Sequence, residues 1–207
     1  MEGLENLSIT IKEVTKEYKR NTGINKISTK FESGILNILV GDNGSGKSTL
    51  FKCIMGLCNY NGKIIKRKHR IGYAPEEYVM PLHLTVIDFL KSIGRIKGLN
   101  SDDLDQNVID YLRFFELEEY KHKPISKLSN GMRQKVNLIQ AFIHEPKIII
   151  LDEPLAALDK GCVPKVVKLI KELSKSSLVI VSTHHINYFR TNKKKVFYFK
   201  DGELVDA

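Results

Sequence analysis

The sequence predicts an α/β fold with a mainly parallel sheet, an antiparallel β region at the N-terminus and a small helical insertion. Two observations predict it. The apolar runs at residues 147–151 and 177–182 alternate with helical patterns, which is typical of parallel strands buried on both faces. By contrast, residues 8–11 and 24–31 have the period of two of half-buried antiparallel strands. With 207 residues, the chain is long enough for one such domain.

The other elements follow along the chain. Residues 77–126 have helical patterns interrupted by Gly98 and Pro124, so we expect them to form a helical subdomain. The rest of the single domain, residues 1–76 and 127–207, would form its core. We predict a strand at 36–40, helices at 48–57, 85–96, 102–117 (with Ser101 as the N-terminal cap), 131–144 and 163–173, and a final hairpin through Asp201-Gly202.

Charge and composition restrict the class of protein. The formal net charge of +9 makes a nucleic-acid or anionic-membrane surface one interpretation, because basic runs occur at residues 66–70 and 193–195. We favour the other interpretation, that both runs are solvated loop ends; the first follows a predicted turn at Tyr60-Asn61-Gly62. No apolar run approaches the roughly 18 residues needed to cross a bilayer, and residues 1–6 lack a signal-peptide pattern. We therefore expect a cytoplasmic protein.

Residues 41–49 match the phosphate-binding pattern G-x-x-x-x-G-K-[ST] in full, directly after an apolar strand. The glycines let backbone N–H groups surround phosphate oxygens, while Lys47 adds charge between the β- and γ-phosphates and the Ser48 hydroxyl binds Mg²⁺. The positive end of the following helix faces the same anion. The predicted nucleotide-binding residues here are Gly41, Asp42, Asn43, Gly44, Ser45, Gly46, Lys47, Ser48 and Thr49.

Polar side chains also follow two buried strands. Asp152 and Glu153 come after the run at 147–151, at the strand end where ligands sit in open α/β sheets. Asp152 would hold Mg²⁺ through water, and Glu153 would orient or deprotonate the attacking water. His184 follows the run at 177–182, where it could donate to a phosphate oxygen.

Residues 128–132 read Leu-Ser-Asn-Gly-Met before a helix that opens Arg-Gln-Lys. A hydroxyl and free N–H groups would therefore lie at a positively polarised helix start. This signal is weak alone, since Ser-Asn-Gly is also an ordinary helix-start loop. The segment is informative because of its position, about twenty residues before Asp152.

Together these motifs resemble the nucleotide-binding domain of ATP-binding cassette (ABC) proteins over nearly the whole chain. Residues 41–49 resemble the family's Walker A motif, 148–153 its Walker B motif, 128–132 its signature sequence, 155–159 its D-loop and Thr183-His184 its switch histidine. Tyr18 lies where the family has an aromatic residue that stacks on adenine. The resemblance implies a head-to-tail homodimer enclosing two ATP molecules, with Ser129 and Gly131 of one subunit completing the other's site.

One residue departs from the family pattern at a position of interest. Residues 71–76 resemble the Q-loop segment, but Glu76 stands where glutamine is usual. Glu76 retains an oxygen for Mg²⁺, adds a charge and lacks the amide donor. The predicted metal ligands are thus Ser48, Asp152 and Glu76, and the predicted catalytic residues are Glu153, His184 and Lys47.

We therefore predict the ATP-hydrolysing subunit of an ABC transporter, with ATP and Mg²⁺ as ligands and a separate transmembrane permease as its partner. It would lie at the inner face of the cell membrane and would not bind nucleic acid. Residues 75–77 and 81–86 are similar to short ATPase subunits of exporters, which favours export. One alternative is a soluble ABC ATPase acting on nucleic acid or the ribosome. Another is a P-loop kinase of small metabolites, which would leave residues 128–132 and His184 unexplained.

Overall fold

The protein is described for residues 7–18 and 22–205 by a computed structural model. Its strands are β1 (Ser8–Tyr18), β2 (Thr22–Glu32), β3 (Leu36–Val40), β4 (Asn61–Lys66), β5 (Ile71–Ala74), β6 (Ile148–Asp152), β7 (Leu178–Thr183), β8 (Lys194–Lys200) and β9 (Glu203–Val205). Its helices are α1 (Lys47–Met55), α2 (Val86–Ile96), α3 (Ser101–Phe114), α4 (Asn130–Phe142) and α5 (Cys162–Leu173), with short 3₁₀ turns at Glu118–Tyr120, Ile125–Lys127 and Ile186–Tyr188.

An antiparallel sheet in the order β2-β1-β4 forms the N-terminal β region, as predicted. The structure corrects the predicted turn at Tyr60-Asn61-Gly62, because Asn61 and Gly62 begin β4 and Asn61 pairs with Thr15 of β1. Gly62 has a φ of +96°, and a Cβ atom there would lie 2.4 Å from the Glu13 carbonyl oxygen. A glycine is needed for close approach between strands at this point rather than for reversal of the chain.

A six-stranded sheet in the order β5-β6-β7-β3-β8-β9 forms the centre of the molecule. Its neighbouring strands are parallel except for the pair of β8 and β9. All residues of β6 and β7 are buried, which explains their continuous apolar runs. The predicted α/β fold with a mainly parallel sheet is confirmed.

The carboxyl ends of three neighbouring strands lie side by side. Val40 of β3 pairs with Thr183 of β7, and Asp152 of β6 pairs with Ser182 of β7. The loops that follow these strands therefore leave one edge of the sheet together. This register brings the phosphate-loop pattern, the two carboxylates and the histidine segment to one place.

The segment between β5 and α4 is helical, and two of its helices are capped by side chains. Thr85 accepts a hydrogen bond from the Asp88 N–H at the start of α2. The start of α3 differs from the prediction, because Asn100 caps the helix and accepts from the Asp103 N–H at 2.8 Å, while Ser101 is its first helical residue. The helix also ends at Phe114, before Glu116 adopts a positive φ of 57°.

Two apolar clusters occupy the two faces of the central sheet. Alternate residues of β6 face opposite ways, with Ile149 and Leu151 in one cluster and Ile148 and Ile150 in the other. The first cluster includes the helices α2 to α5, and the second includes α1 and the antiparallel sheet. Helices α2 and α3 therefore share a core with α4 and the sheet. Among the described residues, no helix combines the length and apolar character required to cross a bilayer.

Candidate functional site

The loop between β3 and α1 requires glycine at several positions. Gly44 and Gly46 have φ values of +82° and +110°. A Cβ atom at Gly46 would also lie 2.7 Å from a methyl carbon of Ile24, and one at Gly41 would lie 2.4 Å from the Phe199 carbonyl oxygen. These positions exclude ordinary side chains by conformation and by space. The predicted phosphate loop therefore has the backbone geometry its sequence pattern indicates.

Lys47 lies within this loop. Its side chain is buried, and its ammonium group donates to the carbonyl oxygens of Gly41 at 2.7 Å and Asp42 at 2.9 Å. Helix α1, which begins at Lys47, has neither a side-chain cap nor an acidic residue in its first turn. The loop thus places a cation beside a helix start that carries no competing anion, which is the arrangement that binds phosphate.

Asp152 and Glu153 leave the end of β6 as buried carboxylates, 2% and 4% exposed. Ser182 of the neighbouring strand connects them. Its hydroxyl donates to Oδ1 of Asp152 and accepts from the Glu153 N–H at 3.0 Å. Ser182 is not among the predicted site residues, although a serine inside an apolar strand was the available signal. These hydrogen bonds hold the Asp152 carboxylate and the backbone of Glu153 in place.

Glu153 has its own contact with His184. Oε2 of Glu153 lies 3.0 Å from Nδ1 of His184, and Glu153 has a positive φ of 46°. Its other oxygen, Oε1, is buried without a hydrogen-bond partner among the described residues. The His184 ring lies against His185, with ring centroids 3.8 Å apart. A carboxylate held through one oxygen while the other is free is suited to accept a proton from a small molecule such as water.

Glu76 lies beyond the end of β5 and is exposed. Partial desolvation and the nearby carboxylates of Asp152 and Glu153 raise its pKa, and the Lys47 ammonium group opposes this shift. Glu76 therefore shares an electrostatic environment with the two buried carboxylates and the phosphate loop. Its role as a metal ligand remains a prediction.

Tyr18 ends β1 with its side chain 41% exposed. Partial burial and the neighbouring Cys58 raise its pKa, while a hydrogen bond with Thr49 of the phosphate-loop motif lowers it. The ammonium group of Lys16 lies 4.9 Å from the centre of the ring. Tyr18 is thus an exposed aromatic residue next to the phosphate-loop helix, and its stacking on adenine stays a prediction.

Ser129 and Gly131 lie at the start of α4. The Ser129 hydroxyl caps the helix by accepting from the Met132 N–H at 3.2 Å, yet Ser129 is exposed. Gly131 packs against the loop at 155–159, because a Cβ atom there would lie 2.7 Å from the Ala157 carbonyl oxygen. Lys135, one turn further along α4, forms an ion pair with Asp159 of that loop at 3.1 Å. The signature-like segment and the D-loop-like segment are therefore packed together.

Helix α4 also carries polar residues that the sequence analysis missed. Gln134 and Asn137 are 3% and 1% exposed, and both donate hydrogen bonds to backbone carbonyl groups near the strand ends. Buried amides on the inner face of a helix are unusual, since they need partners there. That pattern was readable in the sequence, but its partners were not.

A groove of about 460 Å³ lies beside the catalytic candidates. Its lining includes Glu153, the loop at 155–158, His184 and Tyr188. The His184 side chain in this lining is half exposed.

Comparisons with known proteins give a consistent result. A protein-family model described as "ABC transporter" matches residues 24–156. The uncharacterised ABC transporter ATP-binding protein YxlF of Bacillus subtilis is 31% identical over 203 residues, 95% of this chain and 69% of that protein. The uncharacterised ABC transporter ATP-binding protein MJ1023 of Methanocaldococcus jannaschii is 30% identical over 198 residues, 95% of this chain and 76% of that protein.

Solved structures show the same fold. The dimeric ABC transporter cassette MJ0796 is 27% identical with a TM-score of 0.86, covering 96% of this chain and 97% of that chain. A post-hydrolysis dimer of that cassette bound to ADP and phosphate is 26% identical with a TM-score of 0.85, again covering 96% of this chain and 97% of that one. An ATP-binding subunit of an ABC transporter is 26% identical with a TM-score of 0.86, covering 95% of this chain and 87% of that chain.

Proposed function

Because this chain belongs to the ABC transporter family of ATP-binding proteins and is an ABC ATPase, we propose that it hydrolyses MgATP to drive a separate transmembrane subunit in export. The observation that carries the proposal is the convergence of three loops at one sheet edge. They bring the phosphate loop, the pair Asp152 and Glu153, and His184 together. The family match leaves the small-metabolite kinase without support.

The residues at the phosphate loop fit a nucleoside triphosphate with its metal ion. The loop N–H groups and the Lys47 ammonium group would bind phosphate oxygens, and Tyr18 would stack on adenine. Ser48 and Asp152 offer oxygen ligands of the kind Mg²⁺ prefers, with Glu76 as a further candidate. When bound, Mg²⁺ neutralises charge on the phosphates.

Glu153 is the residue best placed to accept the proton of the attacking water. It is buried, its Oε1 atom has no partner among the described residues, and Ser182 holds its backbone. His184 would position Glu153 through Oε2, and its exposed ring could also donate to phosphate. Proton acceptance by a positioned carboxylate contributes on the order of a hundredfold or more to a rate.

We also propose that the active form is a head-to-tail homodimer. Ser129 caps α4 and is nonetheless exposed, so its hydroxyl and the helix start can face a ligand held by another subunit. The groove beside Glu153 and residues 155–158 offers a surface for the partner subunit. The similarity to cassettes whose structures are dimeric supports this arrangement.

The membrane partner would contact the helical subdomain at residues 77–126. Two apolar side chains near its start are exposed, Val79 fully and Leu82 by half. Such side chains are suited to a protein contact. Through this partner the protein would lie at the inner face of the cell membrane, and the similarity of residues 75–77 and 81–86 to exporter subunits supports export.

Two variants test the proposed ATPase site. Lys47→Ala should abolish ATP binding, because phosphate charge would lie uncompensated, whereas Glu153→Gln should bind ATP and lose turnover on the order of a hundredfold. Binding is measured with a fluorescent ATP analogue and turnover by phosphate release. Turnover by Glu153→Gln within about twofold of the wild-type protein would contradict the role of Glu153.

A pull-down tests the transport role against the alternative of a soluble ABC ATPase acting on nucleic acid or the ribosome. The net charge of +9 is the observation that favours this alternative. The tagged chain, isolated from detergent-solubilised membranes of its own cells, should retain a multi-spanning membrane protein, and the variants Val79→Glu and Leu82→Glu should lose it because a charge replaces an exposed apolar side chain. Retention of ribosomes or nucleic acid instead, at physiological salt, would support the alternative.

A further inference from the structure

Three amide side chains form a ladder along one face of α4. Gln134, Asn137 and Gln140 are spaced three residues apart, so they lie on the same side of the helix. The Asn137 amide donates to Oε1 of Gln134 at 3.3 Å, and the Gln140 amide donates to Oδ1 of Asn137 at 3.4 Å. These residues are called the amide ladder below.

Each member of the amide ladder also donates to a backbone carbonyl group. These carbonyl groups lie at the carboxyl end of a strand or just beyond it. Gln134 donates to the Pro154 carbonyl oxygen at 3.2 Å and lies 3.5 Å from that of Glu153. The other two contacts are Asn137 with the Pro75 carbonyl oxygen at 2.9 Å and Gln140 with that of Tyr73 at 2.6 Å.

Two of these carbonyl groups, those of Pro75 and Pro154, adjoin the residues proposed to bind the metal ion and the attacking water. Pro75 directly precedes Glu76, and Pro154 directly follows Glu153. Proline cannot donate a backbone hydrogen bond, so neither segment can continue a strand ladder through it. Buried carbonyl groups need donors, and the amide ladder supplies them.

We propose that Gln134, Asn137 and Gln140 are positioning residues that hold the main chain beside Glu76 and Glu153 for ATP hydrolysis. This inference rests on the proposed ATPase site, to which it adds residues. It also means that α4, whose start carries Ser129 and Gly131, contacts both catalytic loops through side chains. A small displacement of a catalytic group is enough to lower a rate on the order of a hundredfold.

The chain offers a matched control for a merely structural hydrogen bond. Asn107 of α3 donates its side-chain amide to the Ile143 carbonyl oxygen at 3.0 Å, just beyond the other end of α4. Asn107→Leu removes a hydrogen bond from a side-chain amide to a backbone carbonyl group. This hydrogen bond lies at the end of α4 that is away from the catalytic loops. Asn137→Leu makes the same chemical change at the ladder.

The test compares these two variants with the wild-type protein. Both should lower the melting temperature, but only Asn137→Leu should reduce kcat, by roughly tenfold to a hundredfold, and raise the Mg²⁺ concentration needed for half-maximal activity. In nucleotide-free protein, the amide hydrogens of residues 76–78 and 155–157 should exchange faster in Asn137→Leu only.

Equal kcat, Mg²⁺ dependence and amide exchange in the two variants would overturn the inference. If Asn137→Leu does not fold, Gln140→Leu at the half-buried end of the ladder replaces it, with the same outcomes deciding. Wild-type protein without ATPase activity would contradict the proposed function, but faster amide exchange confined to the ladder variants would still support the positioning of both loops.

Discussion

The imidazole Nδ1 of His184 lies 3.0 Å from Oε2 of Glu153, and the two side chains differ greatly in exposure, at 48% and 5%. The contact joins an exposed ring to a buried carboxylate at the edge of the sheet. We predict that His184 orients Glu153 through this contact.

This contact predicts that the two residues act as a unit. His184→Ala should lower kcat on the order of a hundredfold, since Glu153 loses the group that orients it. The double variant His184→Ala/Glu153→Gln should be no slower than Glu153→Gln alone, because residues acting together show strongly non-additive effects. Steady-state ATPase rates of the four proteins complete the cycle. Losses that multiply would show that the residues act separately.

The proposed dimer predicts a nucleotide-dependent mass. Glu153→Gln should be monomeric alone and dimeric with MgATP, because the bound nucleotide bridges two chains and is not hydrolysed. Adding Ser129→Arg should prevent dimerisation by placing bulk and charge at the exposed start of α4. Light scattering measures the mass, and Ser92→Arg on α2 serves as a control with the same added side chain. If Ser129→Arg also dimerises, the composite-site model fails.

The environment of Glu76 predicts a metal-dependent effect. Its carboxyl group interacts electrostatically with Asp152, Glu153 and Lys47. Glu76→Gln should keep ATP affinity within about tenfold, or 1.4 kcal/mol, since an oxygen ligand remains. Glu76→Ala should require more Mg²⁺ for half-maximal ATPase activity, which a titration of rate against Mg²⁺ measures. Superimposable curves for Glu76→Ala and wild type would exclude a role at the metal.

His144 predicts a loss of stability in acid. Burial and the nearby cations Lys97 and Arg70 lower its pKa to about 4, below the value of 6.5 expected when unfolded. The unfolded state therefore binds the proton first, and stability falls as pH drops from about 6.5 towards 4, by a contribution on the order of 3 kcal/mol. Urea unfolding of wild type and His144→Leu across this range measures the difference. If the free energy of unfolding depends on pH in the same way in wild type and His144→Leu, the contribution of His144 is contradicted.

The predictable part of the fold followed local patterns. The strands at Ile148–Asp152 and Leu178–Thr183 were visible because strands buried on both faces are continuously apolar. The extension of β1 from Ile11 to Tyr18 was not visible in the sequence. Its pairing with β2 is irregular between Ile11, Val14 and Lys16, and this irregularity breaks the period of two. The cap of α3 was misassigned because Asn100 and Ser101 are both good capping residues, and the path of the chain decides between them.

By itself, the sequence determined the fold class and the phosphate loop, because glycines, lysine and hydroxyl groups at fixed spacing act through their own backbone segment. The tertiary structure alone decided which groups meet. Ser182 contacts Asp152 and Glu153 through the pairing of β6 with β7, and Asn137 reaches Pro75 across 62 positions of the chain. Such contacts depend on strand order and helix packing, so no local pattern could encode them.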